Sequence, residues 1–224
     1  MKKIILAGCG GFGQEIYGYI AKDIKERRLT DVELVGVLDD SEEAYKSSGI
    51  DLPLLGSIKS YKFDGKAYVI LCIGEVKARA KLINVLLQNK GNLYTYIHSS
   101  CYIAKNSYIE EGVIICPQSI INVNATVSST VVINVHSSIG HGASIGKGSI
   151  LSPYCALNGD ASIGEYCFLG TRATIYPRVS LANNSIVDTH SAVKKTVAKP
   201  SVVSNRANYI CVPNRFFLNR GRCK

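Results

Sequence analysis

The residues best equipped for chemistry recur at one interval. His141 stands in Ile139-Gly140-His141-Gly142-Ala143-Ser144-Ile145-Gly146. An outward imidazole is a candidate general base. Eighteen residues on, position 159 is glycine, whose bare N–H can face an oxyanion. Eighteen beyond Gly142 comes Asp160, a carboxylate able to orient the imidazole. A second constellation opens the chain: Gly8-Cys9-Gly10-Gly11-Phe12-Gly13, with Asp39 and Asp40 some thirty residues on. Gly8, Gly10 and Gly13 form GxGxxG, a loop that lets backbone approach a phosphate, and a carboxylate such as Asp39 can bind ribose hydroxyls.

The interval of eighteen has a physical origin. From Ile97 to Val193 every sixth residue is Ile, Leu or Val, without one insertion. Neither a helix nor a simple strand has this period. A six-residue repeat is one flat side of a triangular parallel β-helix, and three sides make a rung of eighteen. Most positions two before the aliphatic are small, such as Ser137, Ala143, Ser149, Cys155 and Ala161, as a tight interior corner requires. Glycine or asparagine often follows the aliphatic (Gly140, Gly146, Asn158, Gly164, Gly170), and these residues are expected to take the left-handed backbone of the corners.

Residues 1–94 follow other rules. Lys3 to Ala7 is a short apolar strand, and the glycine loop follows at once. Ile16, Ile20 and Ile24 then mark one face of a helix reaching about Arg28. Strands are expected at Leu34–Leu38 and Tyr68–Ile73, and a helix at Lys77–Gln88. This order predicts a small Rossmann-like parallel sheet, about half of a doubly wound fold. Because the glycine loop joins a strand to a helix, nucleotide binding is its expected role, with a nucleotide other than NAD, since no dehydrogenase-like half follows. The expected organisation is a Rossmann-like nucleotide-binding domain at 1–94, a β-helix at 95–199 and a basic extension at 200–224.

Net charge is +9, and all of it lies after residue 165, where ten Lys and Arg face one acid, Asp188. No nucleic-acid motif accompanies it, so a small polyanion such as coenzyme A, or a merely solvated surface, explains it better. No apolar stretch approaches the roughly 18 residues of a membrane span. Eight cysteines without CxxC spacing read as buried thiols in a reducing cytoplasm. His136 and His141 have a spacing found in β-helical zinc sites. The positions where a third ligand belongs are Ser100 and Lys105, and His98 is out of register, so no metal is expected.

Taken together, the glycine loop, Val37-Leu38-Asp39-Asp40, Cys72-Ile73-Gly74, Ile139-Gly140-His141, Ser152 to Gly159 and Phe168-Leu169-Gly170 resemble the NeuD/PglD type of sugar acyltransferases, of the left-handed β-helix hexapeptide superfamily. The resemblance implies a left-handed coil, a homotrimer with active sites between neighbouring coils, and acetyl-CoA as donor. It implies a nucleotide-linked amino sugar held by the N-terminal lobe at Gly8, Gly10, Gly11, Phe12, Gly13, Asp39, Asp40 and Gly74. His141 is then the base, and the Gly159 N–H faces the thioester oxygen. Acetyl-CoA is expected near Gly159, Gly170, Thr171, Arg172 and Lys194. The implied reaction is N-acetylation of a dTDP- or UDP-linked 4-amino-4,6-dideoxy sugar, as in lipopolysaccharide or protein-glycan synthesis. O-acetylation of a free sugar and a non-catalytic nucleotide-binding scaffold are the alternatives. Two positions depart from the family pattern: Gly142 stands where an acid is usual, so Asp160 is expected to orient His141, and Phe12 stands where many members have histidine.

Overall fold

The computed structural model describes residues 1–205, so the expected extension lies outside the described residues from 206 onward. The N-terminal lobe runs β1 (Lys2–Ala7), α1 (Gly11–Lys25), β2 (Val32–Leu38), α2 (Glu42–Ser47), β3 (Leu54–Gly56), β4 (Tyr68–Leu71), α3 (Val76–Gln88) and β5 (Asn92–Leu93). The sheet is parallel with order β3-β2-β1-β4-β5. Chain order reverses beside β1, so the sheet continues on both sides of the switch point rather than stopping at half of a doubly wound fold. In such sheets ligands bind outside the carboxyl ends of the strands at that point.

Helix α1 starts at Gly11, before the apolar spacing marks it, and ends at Lys25. Its buried face holds Gly13, Ile16, Ile20 and Asp23. Glu75 caps α3, its carboxylate accepting from the N–H groups of Lys77 (2.9 Å) and Ala78 (2.6 Å). Sequence periodicity misses three elements of the lobe. α2 buries no residue and so carries no apolar period, and β3 and β5 have three and two residues, too few for alternation to show.

From Tyr96 the chain winds into a parallel β-helix of two-residue strands in three sheets. Face 1 holds Tyr96–Ile97, Ile114–Ile115, Val132–Ile133, Ile150–Leu151, Phe168–Leu169, Ile186–Val187 and Val202–Val203. Face 2 runs from Tyr102–Ile103 through Ser138–Ile139 to Ala192–Val193, and face 3 from Tyr108–Ile109 through Ser144–Ile145 to Ser180–Leu181. Every pairing within the coil up to Val193 joins residues eighteen apart, as Ser138 with Ala156 and Ser144 with Ser162. The aliphatics of the repeat fill one continuous core. Ile97, Ile103 and Ile109 are only partly buried, because no rung lies beneath them.

The left-handed backbone falls elsewhere than expected. It occurs three residues after the aliphatic, at Gln118, Asn124, Thr130, His136, Gly142, Tyr154 and Asp160 among others, not one residue after it. The glycines directly after the aliphatic have a different cause. A Cβ at Gly140 would lie 2.7 Å from the Gly159 nitrogen, and one at Gly146 would lie 2.4 Å from the Gly164 carbonyl carbon. Close approach of the next rung, not φ, selects glycine there. Asn122 and Asn158 instead donate their side-chain amides to the carbonyls of Ile139 and Ile175.

The lobe docks on face 1. Tyr96, Ile114, Val132 and Ile150 share a core with Ile16 and Ile20 of α1. Two buried polar clamps fix the angle. Arg79 of α3 donates to the Thr130 carbonyl (3.1 and 3.2 Å) and to those of Leu71 and Ile73. Burial lowers its pKa to about 10, with Cys72 pulling the other way. Asp23 of α1 accepts from Tyr96 Oη (3.2 Å) and Ser99 Oγ (2.7 Å). Leaving any of these buried groups unpaired costs about 1–3 kcal/mol, so the lobe is held in one orientation.

Candidate active site

His141 sits on the edge where face 2 turns into face 3, between Ser138–Ile139 and Ser144–Ile145, and is exposed. Gly159 lies directly against its ring: a Cβ at 159 would stand 2.4 Å from His141 Nε2. Neighbouring turn residues give their backbone N–H to a carbonyl one rung back, as Gly142 to Val123 and Asp160 to His141. The Gly159 N–H has no acceptor among the described residues. The ring therefore lies against a residue whose N–H is unpaired, with no side chain between them.

Asp160 caps this point. Its Oδ1 lies where a side chain at residue 142 would begin, 2.3 Å from an added Cβ, and Gly142 has φ +64°. The carboxylate thus occupies space that a larger residue 142 would fill. It makes no hydrogen bond to the His141 ring. Lys194 and Tyr176 continue the same edge upward, three and two rungs above Gly140, with the Lys194 ammonium 5.8 Å from the Tyr176 ring centre. Arg178 stands one rung above Asp160. Tyr176 and Arg178 escaped the sequence reading, although adding eighteen once more to Asn158 and Asp160 finds them. Gly170, Thr171 and Arg172 lie on a different edge, between faces 1 and 2. There His136 stacks on Tyr154 (4.7 Å, 8°) and the Arg172 guanidinium lies 4.9 Å over the same ring. The structure brings His141, Gly159 and Asp160 together, places Lys194 further along the same edge, and sets Gly170–Arg172 apart from them.

The second constellation assembles at the carboxyl ends of β1 and β4. Gly8 (φ +106°) and Gly13 are required by the fold: an added Cβ would lie 3.0 Å from the Cys72 oxygen and 2.1 Å from the Gly8 oxygen respectively. Gly10 and Gly11 are not, since a Cβ at either meets nothing within 4 Å. The N–H groups of Gly11, Phe12 and Gly13 have no acceptor among the described residues. Open space above unpaired first-turn donors suits a phosphate. Asp39 is already engaged, accepting from the Cys9 N–H (2.9 Å) and thiol (3.0 Å) and from the Ser41 N–H (2.8 Å). Burial, then Asp39, push the Cys9 thiol up to about 12. Asp40 binds Ser57 Oγ and Lys59 Nζ (2.5 and 2.8 Å). Burial works against its ionisation, but these partners hold the carboxyl below its usual value. Gly74 borders two clefts between lobe and face 1, of about 270 and 520 Å³.

The two constellations are on opposite sides of the coil. The lobe covers face 1, and His141 occupies the edge opposite that face. Among the described residues no three His, Cys, Asp or Glu side chains are placed to hold a metal, and no helix is long and apolar enough to cross a membrane.

Known proteins share this architecture. The acetyltransferase domain of PglB from Neisseria gonorrhoeae superimposes with a TM-score of 0.80 at 16% identity, covering 92% of this chain and 97% of that one. A mutant of perosamine N-acetyltransferase from Caulobacter crescentus, in complex with CoA and GDP-perosamine, gives 0.78 at 20% identity, with 92% and 94% covered. WeeI from Acinetobacter baumannii gives 0.76 at 24% identity, with 93% and 99% covered. The shared fold is a small Rossmann-like lobe followed by a left-handed parallel β-helix, an exception to the usual right-handed crossover. Comparison with curated protein sequences gave no match. Residues 3–86 match the family described as the PglD N-terminal domain, and residues 92–203, half of the chain, match the GMPPB C-terminal domain family. With residues 92–203 matched, the chain belongs to the GMPPB C-terminal domain family, and its lobe matches the PglD N-terminal domain, the order of parts in the NeuD/PglD-type proteins it resembles.

Proposed function

We propose that the protein transfers the acetyl group of acetyl-CoA to the 4-amino group of a dTDP- or UDP-linked 4-amino-4,6-dideoxy sugar. The observation that carries this reading is the contact of the His141 ring with Gly159, whose N–H has no acceptor. The amine attacks the thioester carbon, and His141 takes its proton as the C–N bond forms. The Gly159 N–H holds the tetrahedral oxyanion. Collapse expels the coenzyme A thiolate, which accepts the proton from the imidazolium. Asp160 adds negative charge beside the imidazolium without fixing its ring.

Lys194, with Arg178 on the same edge, supplies positive charge for the coenzyme's phosphates; Gly170, Thr171 and Arg172 meet the coenzyme only from the neighbouring edge. The nucleotide lies at Gly8 to Gly13 and Gly74, with Asp39 and Asp40 at the ribose. Because lobe and His141 sit on opposite sides of one coil, the sugar held by one lobe reaches His141 of the partner subunit, in a homotrimer with sites between copies. The Caulobacter protein, an N-acetyltransferase bound to CoA and GDP-perosamine, and the Neisseria domain bound to acetyl coenzyme A support acetyl-CoA as co-substrate and a nucleotide-linked sugar as acceptor. Six cysteines, all free among the described residues, fit a reducing cytoplasm.

The test is thiol release from acetyl-CoA with dTDP-, UDP- and GDP-linked 4-amino sugars, and with sialic acid as free-sugar control. Turnover with one nucleotide amino sugar establishes the reaction and names the base. Turnover with sialic acid alone replaces it by O-acetylation, and silence throughout leaves a binding scaffold.

A further inference from the structure

The smaller cleft between lobe and coil has contents that the proposed chemistry has not used. Its floor is apolar, from Phe12, Ile150 and Phe168. Three polar groups look into it, and each is available. Glu15, on α1 three residues after Phe12, makes no hydrogen bond or ion pair. Asn134 accepts from the Val135 N–H through Oδ1 (2.7 Å), which leaves its Nδ2 without an acceptor. The Ser152 hydroxyl has no partner either. At about 270 Å³ the space is smaller than the usual drug-sized pocket and fits one saturated ring. It begins at Phe12 and Gly74, beside the unpaired N–H groups of α1. A ring joined to a diphosphate on those groups enters this cleft next.

The charge of Glu15 reaches its neighbours on α1 and on the coil. Burial, then Glu15, raise the phenol of Tyr19 and the thiol of Cys116 on the coil. Among the residues lining the cleft, Glu15 alone carries a formal charge. A lone carboxylate over an apolar floor suits a ring with one cationic edge and one hydrocarbon edge. A 6-deoxy sugar bearing an ammonium group has that pattern, and its hydroxy counterpart lacks the charge.

We infer that Glu15 is a specificity-determining residue that pairs with the substrate's amino group as ammonium on binding, before it gives one proton to solvent and attacks as the amine, while Phe12 and Phe168 pack against the deoxy side of the ring and Asn134 Nδ2 and Ser152 take its hydroxyls. This rests on the reading of the lobe as a nucleotide-sugar site. A charge-assisted hydrogen bond of this kind corresponds to roughly ten- to a hundredfold in affinity.

The experiment is calorimetric titration of the full-length wild type and Glu15→Gln with UDP, dTDP and GDP, and with a matched pair of nucleotide sugars, one 4-amino and one 4-hydroxy. The wild type prefers the amino sugar. E15Q loses that preference, its amino-sugar affinity falling about ten- to a hundredfold while the bare nucleotide and the hydroxy sugar bind as before. An unchanged preference in E15Q overturns the assignment. Equal weakening of the bare nucleotide also overturns it, since Glu15 would then be shaping the lobe. A wild type that binds none of the three nucleotides removes the underlying reading and this subsite with it.

Discussion

The lobe and the coil each hold glycine for the same two reasons, but against different neighbours. In the lobe, Gly8 and Gly13 are packed against backbone, whereas Gly10 and Gly11 face open space. In the coil, Gly140 and Gly146 are forced by the next rung, and Gly159 is bare because His141 lies against it. Each half thus has glycines the fold needs and glycines that only a ligand or a reaction would need. The two kinds are separable by experiment, since one changes stability and the other changes function.

The largest effect is expected from His141→Ala. It should lower kcat about 10²- to 10⁴-fold with thermal stability unchanged, because the ring is exposed. Steady-state kinetics beside a melting curve checks both. Gly159→Ala should follow closely, with about 10²–10³ lost from kcat, since the added methyl displaces the ring it touches and crowds the oxyanion position. Little stability should be lost, because an exposed imidazole can swing away. A Gly159→Ala variant at full rate would leave the unpaired N–H without a role.

The structural glycines should behave the other way. Gly146→Ala pushes a methyl into the Gly164 backbone, and Gly13→Ala pushes one into the Gly8 carbonyl. Each should cost about 1–3 kcal/mol, measured by urea unfolding. Gly10→Ala should stay within about 0.5 kcal/mol of wild type while weakening nucleotide binding. If Gly10→Ala unfolds like Gly13→Ala, the distinction within the loop is lost.

The smallest effect concerns pH. His98 is buried at the junction, its ring edge-on to Tyr19 (5.7 Å), with Asp23, Glu26, Lys22 and Arg28 around it. Burial lowers its pKa, with Asp23 opposing. The folded protein therefore takes up a proton at His98 less readily than the unfolded chain does. Stability is present above the unfolded pKa of about 6.5 and falls as pH drops through it toward the folded value. The melting temperature should decline between pH 7 and 5, and His98→Asn should remove part of that slope.

The sequence by itself determined the coil and the contact at its edge. Eighteen residues per rung is a covalent count, so His141 meets Gly159, Gly142 meets Asp160, and Lys194 stands three rungs above Gly140 on the same edge. The strand–loop–helix start of the lobe was legible for the same reason, since its periodicity is local. The corner φ angles were misplaced by two residues, because glycine has two uses and the sequence does not say which one applies. Only the tertiary structure decided where the lobe docks. That depends on contacts such as Arg79 with Thr130, 51 residues apart, and Tyr96 with Asp23, 73 apart. No periodicity predicts them, because they are set by which apolar faces remain uncovered once each half has formed. From that docking came the separation of the glycine loop from His141 and the cleft in which Glu15 stands.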